Sequence, residues 1–105
     1  MTLRIVSYGG KRAEYDPEAD ALYVYLSDRE YHHGRDLDES RRIDYDADGS
    51  PFGVEVLSPA ATGVNIAGLP CAETVASLAE QLGLPVMEGT QRFVAPSQGA
   101  SIIGG

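Results

Sequence analysis

The sequence predicts an α+β domain: an antiparallel β-meander of four to five strands with one C-terminal α-helix packed on the sheet. Three observations carry this. Ala21 to Leu26 alternates strictly, with Leu22, Val24 and Leu26 on one face and Ala21, Tyr23 and Tyr25 on the other. Asp48-Gly49 lies between two strand-like runs, Arg42 to Asp46 and Phe52 to Leu57, the strongest short-range hairpin signal in the chain. Val75, Leu78, Ala79 and Leu82 then fall on one helical stripe. With 105 residues, the chain has the length of one domain burying roughly 60–70% of its unfolded surface.

The elements follow in order. Thr2 to Tyr8 reads as a short strand ended by Gly9-Gly10, and Arg12 to Tyr15 as a second. Asp16-Pro17-Glu18-Ala19-Asp20 is turn chemistry, because proline presets φ and the aspartates can accept nearby backbone N–H groups. After the Ala21 strand, Ser27 to Glu30 reads as a tight turn, and Tyr31 to Leu37 returns as the next strand, weakened at Gly34. Asp38 to Arg41 is another polar turn. A two-residue loop at Asp48-Gly49 pairs Tyr45 with Phe52, Ile43 with Val54 and Arg42 with Glu55, so apolar and opposite-charge partners each fall together. Pro70 suits the first helical position, Gly83 the left-handed position past the helix end, and Pro85 blocks continuation. The helix is expected to pack on the Leu22, Val24, Leu26 face or the Ile43, Val54, Val56 face. Residues 1–85 thus form a single domain, with a core at 15–57 and a helix at 70–83. Residues 86–105 read as a Gly-rich mobile extension in which Gln91 to Val94 offers a short strand.

Sixteen acids against eight bases give a net charge of −8, which argues against nucleic acid as a direct partner, since phosphate binding needs clustered Lys and Arg. The same charge favours a basic partner and keeps the chain in solution. One cysteine permits no internal disulfide and fits a reducing compartment. No signal-peptide h-region and no apolar run of membrane-spanning length are visible, so the expected location is the cytoplasm, with no membrane partner.

Candidate chemistry is sparse. Asp44, Asp46, Asp48, Gly49 and Glu55 occupy positions 1, 3, 5, 6 and 12 of the calcium-loop pattern D-x-D-x-D-G-x5-E. The flanks are strands rather than helices, Pro51 removes a backbone donor, and Phe52 cannot be a ligand; the hairpin is the preferred reading, with calcium or metal binding as its alternative. His32-His33 are adjacent on a strand, where side chains point to opposite faces and do not share one ion. Cys71 falls in the first helical turn without a His or Arg neighbour to form a nucleophile system. No catalytic residue and no cofactor site is identified; a small-ligand enzyme remains a further alternative that would require a closed apolar pocket around a perturbed carboxylate. Six Tyr and no Trp make the Tyr23 and Tyr25 face the candidate contact surface, cross-strand packing within the monomer being the other use of those rings.

Tyr15-Asp16-Pro17-Glu18-Ala19-Asp20-Ala21-Leu22-Tyr23-Val24, Leu26-Ser27-Asp28, Asp44-Tyr45-Asp46-Ala47-Asp48-Gly49 and Gly53-Val54-Glu55-Val56-Leu57 together resemble the domain-of-unknown-function 2283 family. Gly68-Leu69-Pro70 and the following helix resemble its longer members. The chain departs from the family pattern at Arg29, where Gly is usual, and in its N-terminal extension and Gly-rich tail. The resemblance implies a small antiparallel-sheet protein and supplies no catalytic residues. It suggests an antitoxin-like or partner-binding role, since some members lie beside small toxin-like genes. The expectation drawn from residues and resemblance together is a non-enzymatic acidic interaction module. It forms a homodimer through sheet edges or faces and has a small basic protein as partner.

Overall fold

A computed structural model of the chain describes residues 2–92. The first three strands form a meander: β1 (Arg4–Tyr8), β2 (Lys11–Asp16) and β3 (Ala21–Tyr25). Gly9 and Gly10 both take positive φ, as a two-residue primed turn requires. In the next turn Asp16 Oδ1 accepts the N–H groups of Glu18 and Ala19, the local bonding expected there.

The chain then leaves the meander. It does not return beside β3 but crosses to the far edge as β4 (His33–Asp36), comes back as β5 (Arg41–Tyr45), and inserts β6 (Pro51–Leu57) between β5 and β3. The result is one six-stranded antiparallel sheet of order β1-β2-β3-β6-β5-β4, not a simple meander of four to five strands. The reason lies in β6. Val54 and Val56 are buried, and they meet Leu22 and Val24 on one side and Ile43 on the other, so this apolar strand belongs at the centre. The charged β4 is left at the edge, where exposure costs it little.

The β5–β6 hairpin keeps its expected register at Arg42↔Glu55 and Ile43↔Val54, but not at Tyr45, which pairs with Pro51. The loop holds three residues, Ala47 to Gly49. Asp46 Oδ1 accepts the N–H groups of Asp48 and Ser50, and Gly49 donates to the Asp46 carbonyl with φ at +82°. Phe52 is then the extra residue of a bulge that restores the register.

A short helix α1 (Pro59–Thr62) follows, then β7 (Val64–Asn65), α2 (Ala72–Gln81), β8 (Val86–Glu88) and β9 (Gln91–Arg92). The last three strands form a second sheet, parallel between β7 and β8 and antiparallel between β8 and β9. The main helix is therefore not C-terminal, and Val86 is buried. The expected mobile extension at 86–105 thus begins with β8 and β9, while Phe93, Val94 and the rest of it lie outside the described residues. Strands of two and three residues are too short to show a period, which is why the sequence signal fades there.

Helix α2 buries Val75, Leu78, Ala79 and Leu82, the stripe its spacing predicts, in one core with Leu22, Val24, Ile43, Val54 and Val56. The two faces offered to it in the sequence are one face of one sheet. The helix starts two residues after Pro70, because Cys71 takes left-handed backbone angles (φ 52°, ψ 44°) that cannot continue a right-handed helix. Gly83 takes φ +76°, and Leu84 donates back to the Ala79 carbonyl, the expected helix stop.

Candidate functional site

With α2 and the core on one side, the other face of the six-stranded sheet has no element packed on it among the described residues. Register places two rows of side chains across it. One runs Ile5, Glu14, Tyr23, Glu55, Arg42, Asp36; the other runs Ser7, Arg12, Tyr25, Gly53, Asp44, Gly34. The second row contains two glycines, and the side chains of the first row lie over them. A Cβ built on Gly53 would come within 2.0 Å of the Tyr23 hydroxyl oxygen, and one on Gly34 within 2.5 Å of Arg42 Nη2. The glycines are the floor on which Tyr23 and Arg42 lie flat.

These side chains are joined. Tyr23 donates its O–H to Asp44 Oδ2 at 2.6 Å, and Asp44 Oδ1 lies 3.4 Å from Arg42 Nε. Arg42 reaches Asp36 Oδ1 at 3.2 Å and the Tyr31 hydroxyl at 3.3 Å. On the other side the Tyr23 and Tyr25 ring centroids are 4.7 Å apart, the Arg12 guanidinium sits 4.0 Å above the Tyr25 ring, and Arg12 Nε pairs with Glu14 at 3.3 Å. Burial, then the bond to the Asp44 carboxylate, raises the Tyr23 phenol well above its ordinary value of 10.0. Tyr23 thus stays a neutral donor, and both tyrosines are held by neighbours in the same chain.

Two clefts open on this face. One, of about 270 Å³, includes Asp36, Arg42 and Glu55; the other, of about 170 Å³, includes Leu3, Glu14, Asp16, Tyr23 and Glu55. Glu55 borders both. Neither is the closed apolar pocket that a small-ligand enzyme would require.

The calcium-pattern carboxylates are not gathered at one point. Asp44 is spent on Tyr23 and Arg42. Asp46, 3% exposed, turns Oδ1 into its own loop. Arg29 brings Nε to 3.3 Å from Asp46 Oδ2 and Nη2 to 2.9 Å from Asp48 Oδ2, so a guanidinium stands where a cation would be held. Glu55 lies on β6, opposite Arg42. Among the described residues, no three His, Cys, Asp or Glu side chains are grouped to hold a metal ion.

His32 and His33 do not diverge as adjacent strand residues should. His32 precedes β4, although its N–H still donates to the Tyr45 carbonyl, and the two Nδ1 atoms are 2.9 Å apart, with His33 stacked on Tyr45. Cys71 is exposed at the helix cap rather than inside the first turn. The sequence reading missed Gly34 and Gly53 as cradle positions. Their signal was available, because a glycine inside a strand often marks close approach by another group.

No helix among the described residues is long and apolar enough to cross a membrane. Residues 12–58 match the model of the family described as protein of unknown function (DUF2283). No curated protein and no solved structure matches the chain.

Proposed function

We propose that this chain, whose residues 12–58 belong to the DUF2283 family, is a non-enzymatic acidic interaction module that binds a small basic protein, in the manner of an antitoxin. The observation that carries the reading is the uncovered face of the sheet. It presents tyrosine rings already fixed in place, flanked by Glu14, Asp16, Asp36 and Glu55. Rings immobilised before binding lose little entropy on contact, and two acid-lined clefts suit lysine or arginine side chains. The net charge of −8 draws a basic partner toward any part of the surface; the tyrosines and clefts give it a place to seat.

The test is affinity capture from the host lysate at low and high salt, read by mass spectrometry, followed by titration of the captured protein. One stoichiometric basic partner, released by salt, is the expected result. Tyr25→Ala combined with Tyr23→Phe should weaken that complex at least about tenfold, or ~1.4 kcal/mol, while leaving the circular dichroism spectrum unchanged. Undiminished binding by this variant would remove the tyrosine face from the interface. Recovery of the bait alone would sink the partner.

A further inference from the structure

We propose that β1 is a self-association edge, pairing antiparallel with β1 of a second copy about a two-fold axis at Ile5. The proposal is independent of the partner-binding reading, because it uses the edge of the sheet and not its uncovered face. The primed turn at Gly9-Gly10 closes on Tyr8↔Lys11 as a hydrogen-bonded pair, so the alternation of an antiparallel ladder commits Tyr8, Val6 and Arg4 to β2. Ser7 and Ile5 then present their backbone N–H and C=O groups outward. Consistent with this, the Ser7 carbonyl accepts Gln81 Nε2 at 3.4 Å from outside the sheet. Among the described residues no strand pairs with this edge of β1, and Ile5 is 58% exposed, with Leu3 beside it 47% exposed.

The two edges of the sheet differ in how they are guarded. β4 is four residues long, carries Arg35 and Asp36, and is flanked by Glu30 and Asp38, so two copies of that edge would bring acids together. The β1 edge carries no acid, and among the described residues it is covered at Ser7, where the long Gln81 bond would have to give way to a pairing strand. Residues 1–13 hold three of the eight bases and none of the sixteen acids. On a chain of charge −8, this stretch itself carries no carboxylate, Glu14 being set one strand back from the edge, and it exposes Leu3, Ile5 and Tyr8. An Ile5↔Ile5 pairing sets Leu3 against Ser7 of the second copy and joins the two sheets edge to edge, so that the row Tyr23, Glu14, Ile5 continues into its symmetry mate.

The test is sedimentation over a dilution series from about 1 μM to about 1 mM, where associations of modest strength show. Wild type is expected to pass from monomer to dimer. Ile5→Pro, which removes the outward N–H without removing a donor to β2, should weaken association at least about tenfold, whereas Leu57→Lys, an exposed site on β6, should leave it unchanged. If Ile5→Pro lowers the folding midpoint, Ile5→Lys carries the same expectation, since two ammonium groups would then meet at the axis. A wild type that stays monomeric throughout, or a dimer that survives both Ile5 variants, would overturn the proposal. So would a dimer broken by Leu57→Lys.

Discussion

Asp46 holds position 3 of the calcium-loop pattern, yet its carboxylate serves the chain itself. Its Oδ1 takes the N–H groups of Asp48 and Ser50, and Arg29 lies against its Oδ2. The Ser50 N–H holds the carboxyl below its ordinary value of 3.8; burial works in the other direction, and the Asp48 N–H and the Arg29 charge assist the lowering. A carboxyl depressed in the folded state stabilises fully above its unfolded value and loses that contribution as pH falls through the folded one. Asp46→Asn is therefore expected to unfold at a lower temperature than wild type at neutral pH. The gap should narrow as pH drops below 3.8, where wild type becomes protonated too. Thermal unfolding followed by circular dichroism at a series of pH values checks this, and a gap that stays constant into acid would mean that charge at Asp46 is not what holds the loop. Asp48, which is exposed and pairs with exposed Arg29, should matter much less when changed to Ala.

At the level of elements, two glycines decide what the uncovered face looks like. Ala at position 53 would put a methyl group 2.0 Å from the Tyr23 hydroxyl oxygen and 2.7 Å from Cζ, so Tyr23 must leave Gly53 and its bond to Asp44. Gly53→Ala should cost about 1–3 kcal/mol, as overpacking does. The same change made on Tyr23→Ala should cost far less, because the clashing ring is gone and Ala suits a strand at least as well as Gly. Denaturant unfolding of the four members of this cycle gives the coupling; additive costs would show that Gly53 is required for some other reason. This cradle also marks the limit of what can be read from the chain alone. Ala21 to Leu26, the Ile43↔Val54 and Arg42↔Glu55 pairs, and the Val75, Leu78, Ala79, Leu82 stripe were legible because period and pair chemistry are local signals. That β6 lies between β3 and β5 was not, since strand order depends on which apolar strand best fills the centre, a comparison over distant segments. The bulge at Phe52 was hidden for a related reason: Asp48-Gly49 fits a two-residue loop as well as the three-residue loop that the Asp46 carboxylate selects. Tyr23 and Tyr25 were legible as a shared face, but not the Tyr23 bond to Asp44, which lies two strands away.

The two sheets of the molecule are tied by side chains that no periodicity announces. Asp20, at the β2–β3 turn, accepts the N–H groups of Ala60 and Ala61 and the Tyr15 hydroxyl, so a remote carboxylate starts α1. Arg41 does the larger job. It is 8% exposed; its Nε and Nη2 pair with Asp38 Oδ2, and its Nη1 donates to the carbonyls of Asn65 at 2.7 Å and Ala67 at 2.6 Å. One guanidinium thus joins β5 to the strand and turn that begin the second sheet. Only Arg has enough donors in a fixed fork to serve both sides at once. Arg41→Ala would strand two carbonyls and the Asp38 carboxylate, at an expected cost of about 1.5–3 kcal/mol. Arg41→Lys, a single point charge, should recover only part of this. The loss should fall unevenly across the molecule. Hydrogen exchange should quicken first at Val64 and Ile66, whose N–H groups bond the Pro85 and Met87 carbonyls in the second sheet, while Val24 and Val54 at the centre of the first keep their protection relative to global unfolding. Equal acceleration at all four would mean that the two sheets unfold as one unit and that Arg41 supports the whole rather than the joint.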